Sequence, residues 1–195
     1  TAGLGGEGGQ NLGGAVGTSI TTLDCNTDVG SVDTDNDGIC DLWETAGITL
    51  GGANYPLTGA VVGQRDIFVE IDCMTGFCPT TSGSGINNNI QTIISVFAAE
   101  GFTLHVTVDE TNLAVFDPFH VWTDGTAALD DFGLVKDAKF GTPGGRSGGD
   151  LGSGNDFLRA KAQVYHYGLF VKNINTGTDT TCGPSGQAEL RGNDF

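Results

Sequence analysis

The sequence predicts an α/β fold, with an α+β arrangement as the alternative, built on a βαβ core with a small mixed sheet, glycine-rich loops and an acidic loop near the N-terminus. Three stretches predict it. DIFVEID at 66–72 sets Ile67, Val69 and Ile71 on one face and Phe68, Glu70 and Asp72 on the other, the two-residue period of a strand. INNNIQTIISVFAAEG then repeats Ile86, Ile90, Ile93, Ile94, Phe97 and Ala98 at helical spacing and stops at Gly101. FTLHVTV at 102–108 alternates again, so 66–108 reads as one βαβ unit with parallel strands and a right-handed crossover.

The remaining elements follow from the same rules. Residues 1–17 hold eight glycines and one charge, too little apolar surface to offset the entropy of ordering. With AVGTSITTL at 15–23, whose Val16, Ile20 and Thr22 favour an extended chain, this predicts a flexible arm ending in a strand over 1–23. A single domain over 24–195 follows. One short helix is expected within 126–139. GTPGGRSGGDLGSG at 141–154 has seven glycines and is expected to be a loop ordered only by an ion, a ligand or a partner. NDFLRAKAQ reads as a short helix and VYHYGLFV at 164–171 as the third core strand.

Charge excludes two classes of partner. Against 24 acidic residues stand 8 Lys and Arg, a formal net charge of −16, which repels phosphate backbones and anionic membrane surfaces. No nucleic-acid partner and no membrane insertion are expected. No Lys or Arg precedes Arg65, whereas eight acids do, so half of the net charge lies in the first third. Cations belong at that end. The sequence begins at Thr1 and its only methionine is Met74, which is read as loss of a secretory leader, with a fragment as the alternative, so a secreted, extracellular protein is expected.

Five cysteines stand at 25, 40, 73, 78 and 182. A bridge from Cys25 to Cys40 would staple the acidic loop, and one from Cys73 to Cys78 would close a short turn, although spacing alone does not fix the pairing. Cys182 is then left over, for a partner on another chain or in sequence beyond Phe195, or as a buried thiol.

The most specific motif is Asp33-Thr34-Asp35-Asn36-Asp37-Gly38-Ile39-Cys40-Asp41-Leu42-Trp43-Glu44, which fits D-x-D-x-D-G-x5-E without a gap. Hard Ca²⁺ takes six to eight oxygen ligands at flexible angles. The expected ligands are the side chains of Asp33, Asp35 and Asp37, the Ile39 carbonyl, Asp41 directly or through water, and both oxygens of Glu44. Gly38 permits the sharp turn. Five carboxylates in twelve residues repel one another without a cation, and a merely solvated acidic loop is the alternative. No amphipathic helix precedes Asp33, so this is half of a helix-loop-helix hand. It resembles the calcium repeats of dockerins and thrombospondin type 3 modules, which implies a structural ion.

DTDNDGICDLWETAGI at 33–48, RDIFVEIDCM at 65–74, VFAAEG followed by FTLHV, VYHYGLFV at 164–171 and SGQAELRGNDF at 185–195 occur in that order. Together they resemble secreted bacterial and archaeal zincin-like metallopeptidases. In that family a His-Glu-x-x-His helix follows the segment matching GNDF and supplies two zinc ligands and the general base. No such motif occurs in this sequence. The histidines, His105, His120 and His166, are scattered, and His105 and His166 fall on expected strands as packed residues; a three-histidine zinc site assembled in space is the alternative.

Glu70 and Asp72, with Asp66, are a paired-carboxylate candidate for a second cation or a cleft, or else answer Arg65 or Arg159 across a surface. Asp124, Asp130, Asp131, Asp150 and Asp156 are oxygen donors among glycines, without a motif to place an ion. The preferred functional reading is a non-catalytic, extracellular, calcium-binding structural or interaction protein. It is expected to partner a second copy of itself, through the N-terminal arm, or another extracellular protein. The alternatives are the N-terminal part of a secreted zinc metallopeptidase whose catalytic helix lies beyond residue 195, and a calcium-dependent adhesion or carbohydrate-binding module.

Overall fold

A computed structural model describes residues 23–79, 89–115, 119–120, 131–172 and 174–175. The arm, Ile86, Cys182 and the carboxylates of Asp124, Asp130 and Asp131 lie outside what it describes. The fold is mixed α/β. A single π-turn, Cys25–Val29, leads through the acidic loop into α1 (Asp41–Ala46), β1 (Ile48–Leu50) and β2 (Ala53–Tyr55). Then come β3 (Asp66–Cys73), α2 (Asn89–Ala99), β4 (Thr103–Val108), β5 (Phe119–His120) and α3 (Asp131–Lys139). The chain continues with α4 (Asp156–Lys161), β6 (Tyr165–Phe170) and β7 (Ile174–Asn175).

β3 is the middle strand of a three-stranded sheet of order β4-β3-β6, parallel to both neighbours. A strand paired on both sides and covered on both faces must bury nearly every side chain, and all of β3 except Ile67 is buried. Val69 and Ile71 pack with Leu104 under Ile90 and the half-buried Ile94 and Phe97 of α2. Phe68 faces the larger core of Ile39, Trp43, Ile48, Phe140, Leu158 and Tyr167. The βαβ unit and the third strand are therefore where periodicity places them. The three-stranded sheet is parallel throughout, and among the described residues antiparallel pairing is found in the separate β1-β2 hairpin.

That hairpin was not expected from the sequence. Its turn is Gly51-Gly52, both with left-handed φ of 54° and 87°, the two-residue geometry that matches strand twist. Gly51 also meets α4 closely: a Cβ there would lie 1.7 Å from Asp156 Oδ2.

The glycine-rich 141–154 stretch corrects another expectation. It forms two 3₁₀ turns, Gly145–Gly148 and Leu151–Ser153, held by the chain's own side chains. Asn155 donates to the carbonyls of Gly145 and Gly149 at 2.9 and 2.6 Å while capping α4 through Phe157 N–H. Arg146 donates to the carbonyls of Lys139 and Gly141 and pairs with Glu110. No ligand is needed to order a loop whose carbonyls are answered in this way.

Candidate metal centre

Alternating carboxylates fold the acidic loop by bonding its own backbone. Asp33 accepts from the N–H groups of Asn36 and Gly38 at 2.8 and 3.0 Å, Asp35 from Asp37 at 3.2 Å, and Asp37 from Ile39 at 2.7 Å. These short-range turns bend the chain through left-handed φ at Asn36 (61°) and Gly38 (92°), where glycine carries no steric cost. The far end of the loop is fixed by burial: Ile39, Cys40 and Trp43 enter the larger core. A disulfide joins Cys40 to Cys25, with Cα atoms 5.4 Å apart, and a second joins Cys73 to Cys78 at 5.1 Å. Two such bridges point to an oxidising environment.

The loop's carboxylates gather into two groups that share Asp37. Ligand oxygens of Asp33, Asp35 and Asp37 lie within 4.8 Å of one another, and so do those of Asp37, Glu44 and Asp66. Asp41 is turned elsewhere, accepting from Thr34 N–H at 2.9 Å and Thr34 Oγ1 at 2.7 Å. Ile39 is buried with its N–H on Asp37. Asp66, the first residue of β3, comes from outside the motif. Its N–H donates to Asp37 Oδ2 at 2.7 Å, and its own carboxylate accepts from Val61 N–H at 2.9 Å and faces His105 Nε2 at 2.8 Å. His105 is held by stacking on Phe68, ring centroids 4.2 Å apart.

The electrostatics of this cluster are unfavourable as the chain alone provides them. Glu44 is only 8% exposed, and burial, then repulsion by Asp35, Asp37, Asp41 and Asp66, raises its carboxyl to about 7. Burial likewise raises Asp37, against the hydrogen bonds from Asp66 and Ile39. Buried oxygens Asp35 Oδ2 and Glu44 Oε1 have no hydrogen-bond partner. Arg65, the first cationic side chain in the sequence, is engaged over the Phe102 ring at 4.0 Å and with the Glu100 carbonyl. An all-oxygen, all-anionic donor set with orphaned buried oxygens can hold a metal ion of the hard class.

The other predicted carboxylates do not join it. Glu70 and Asp72 are wholly buried, not ranged across a surface toward Arg65 or Arg159. Glu70 pairs with the buried Lys161 and accepts from Gly141 N–H at 2.7 Å. Asp72 accepts from Tyr167 Oη at 2.8 Å and Glu110 N–H at 2.9 Å, and burial raises it to about 6. Asp156 pairs with Arg159 at 3.1 Å. Among the described residues no group of three metal-ligating side chains includes a histidine. His105 is in register with Phe68 and His166 with Val69, so the two point to opposite faces of the sheet, which removes the three-histidine alternative.

Sequence reasoning linked Asp66 to Glu70 and Asp72 instead of to the loop. The strand pattern gave its face but not which carboxylates would meet there. It also missed Asp109, whose buried Oδ2 is a third orphan and whose carboxyl burial raises. Its place directly after a strand that ends on Val108 is the one local signal. Two cavities, of about 420 Å³ beside Ile90, Ile94 and Val108 and about 220 Å³ beside Tyr55, Phe157 and Lys161, lie apart from the acidic cluster.

No protein-family model, curated protein or solved structure matches the chain.

Proposed function

We propose that the chain is a non-catalytic, extracellular domain organised by calcium, working as a structural or interaction module. The observation that carries this is Glu44, the twelfth residue of the loop, which is buried with one oxygen unanswered amid other carboxylates. Flexible angles and exclusively oxygen donors favour Ca²⁺ over Zn²⁺, which prefers nitrogen and sulfur. The ion's role is to remove repulsion and so fasten the loop, with Trp43 and Cys40, onto the core. Two disulfides and a calcium loop together suit the oxidising, calcium-rich space outside cells.

Chemistry by the zincin route is not proposed for these residues, since the sequence has no His-Glu-x-x-His and His105 is already engaged with Asp66 and Phe68. The partner proposed is a second copy of this chain. Among the described residues β4 and β6 are the outer strands of the sheet, and an extended arm could extend either edge. Deleting residues 1–23 and still observing the same oligomer in light scattering would sink this part.

The calcium reading is tested by thermal unfolding of the full chain in chelator, then with calcium or magnesium restored. At a hundredfold excess over its dissociation constant a native-state ligand stabilises by about 2.7 kcal/mol. The expected result is a clear rise in Tm with calcium and a smaller one with magnesium. A Tm indifferent to calcium would overturn the reading.

A further inference from the structure

We infer that Asp66 is a cation ligand supplied by β3, so that Asp37, Glu44 and Asp66 form a centre joining the acidic loop to the sheet. This rests on the calcium reading and extends its ligand set beyond the twelve-residue motif. Four observations support it. First, the three carboxylates present oxygens within 4.8 Å of one another, a spacing that like charges do not hold in a buried place without a countercharge. Second, Glu44, a member of this group, is more than nine-tenths buried and its Oε1 has no hydrogen-bond partner.

Third, Asp66 is 1% exposed yet keeps capacity for a metal. Each of its oxygens meets one nitrogen, His105 Nε2 at Oδ1 and Val61 N–H at Oδ2, and a carboxylate oxygen has a second lone pair. Ligating carboxylates are typically held by such outer hydrogen bonds. Fourth, the Asp66 N–H fixes Asp37 Oδ2 at 2.7 Å, so one residue both orients a loop ligand and adds its own.

The consequence concerns the whole domain. Asp66 opens the central strand, paired in register with Thr103 of β4. A cation held there braces the sheet as well as the loop, and its removal reaches β3.

The test is calcium binding by calorimetry, thermal unfolding and hydrogen exchange on the full chain, using calcium chloride, for wild type, Asp66→Asn and Asp33→Asn. Asp66→Asn is expected to weaken calcium binding at least tenfold while its calcium-free Tm equals or exceeds that of wild type, since one buried negative charge is gone. In wild type, calcium is expected to slow exchange at residues 66–73 as well as 33–44. Wild-type calcium affinity in Asp66→Asn, with a lowered calcium-free Tm, marks a purely structural residue and overturns the inference. So does wild-type protection confined to residues 25–48, an arm that decides the matter even when Asp66→Asn does not fold. If wild type binds no calcium at all, the functional reading itself fails; if wild type binds and only Asp66 is indifferent, the loop reading stands alone.

Discussion

One face of β3 carries three carboxylates, and its two ends treat them differently. At the end nearest the acidic loop, Asp66 meets Asp37 and Glu44, more carboxylates, with His105 Nε2 and the Val61 N–H as its nitrogen neighbours. Two residues past Phe68, Glu70 meets the ammonium of Lys161, itself enclosed by the rings of Phe140 and Tyr165 at 4.8 and 4.5 Å. Further on, Asp72 is answered by a phenol and a backbone N–H. A buried charge must be paired or hydrogen-bonded. The chain meets that demand internally at Glu70 and Asp72; at Asp66 it also brings in Asp37 and Glu44, whose Oε1 has no partner, and the proposed cation would answer that group. The difference teaches that burial of an acid is no sign of a metal site by itself; what marks one is the identity of the neighbours.

The comparison is broken most forcefully at its self-sufficient end. Lys161→Met leaves Glu70 buried without its partner, and loss of one member of such a pair costs about 3–5 kcal/mol. Urea unfolding is expected to show that loss equally with and without calcium. A loss that vanishes when calcium is added would mean that the two ends are not independent.

At the other end, replacing Cys25 and Cys40 together by serine opens a loop of 15 residues' separation, worth about 3 kcal/mol. Here the loss is expected to shrink as calcium rises, because the ion and the bridge hold the same segment. Equal loss at all calcium concentrations would show that the bridge acts on the core alone.

Asp72 sharpens the contrast through pH. Burial raises it from an ordinary 3.8 to about 6, so the folded protein binds this proton more tightly than the unfolded chain. Its contribution is fully present below about 3.8 and is lost as pH rises through about 6. Asp72→Asn is therefore expected to flatten the stability profile between those values, read from denaturant midpoints in chelator. An unchanged slope would assign the pH dependence to the loop carboxylates.

The smallest effect expected is at Gly38. Nothing lies within 4 Å of an added Cβ there, but φ is +92°, and a side chain in left-handed backbone costs on the order of 1 kcal/mol. Gly38→Ala should lower stability by about that amount in saturating calcium, and its cost should simply add to that of Lys161→Met when the two are combined.

The loop was legible because its information is local. Asp33, Asp35, Asp37 and Glu44 lie within twelve residues, and their bonds to Asn36, Gly38 and Ile39 span five residues or fewer, so spacing alone fixes the turn. The alternation of Ile67, Val69 and Ile71 and the helical stripe of Ile90, Ile94 and Phe97 likewise announced the βαβ unit. The glycine-rich 141–154 segment misled because composition records missing side chains and not the Asn155 and Arg146 that organise it from within and beside it.

By itself, then, the sequence determined the acidic loop, the central strands and the helix between them, since each rests on periodicity or spacing within a single element. Only the tertiary structure decided which carboxylates share a neighbourhood. Asp37 and Asp66 are 29 residues apart, Asp66 and His105 39, and Glu70 and Lys161 91. Pairings across such separations are set by how strands register and helices pack, and it is the sum of charges brought together there, not the acidity of any one residue, that separates the carboxylate-rich end of β3 from the end answered by Lys161 and Tyr167.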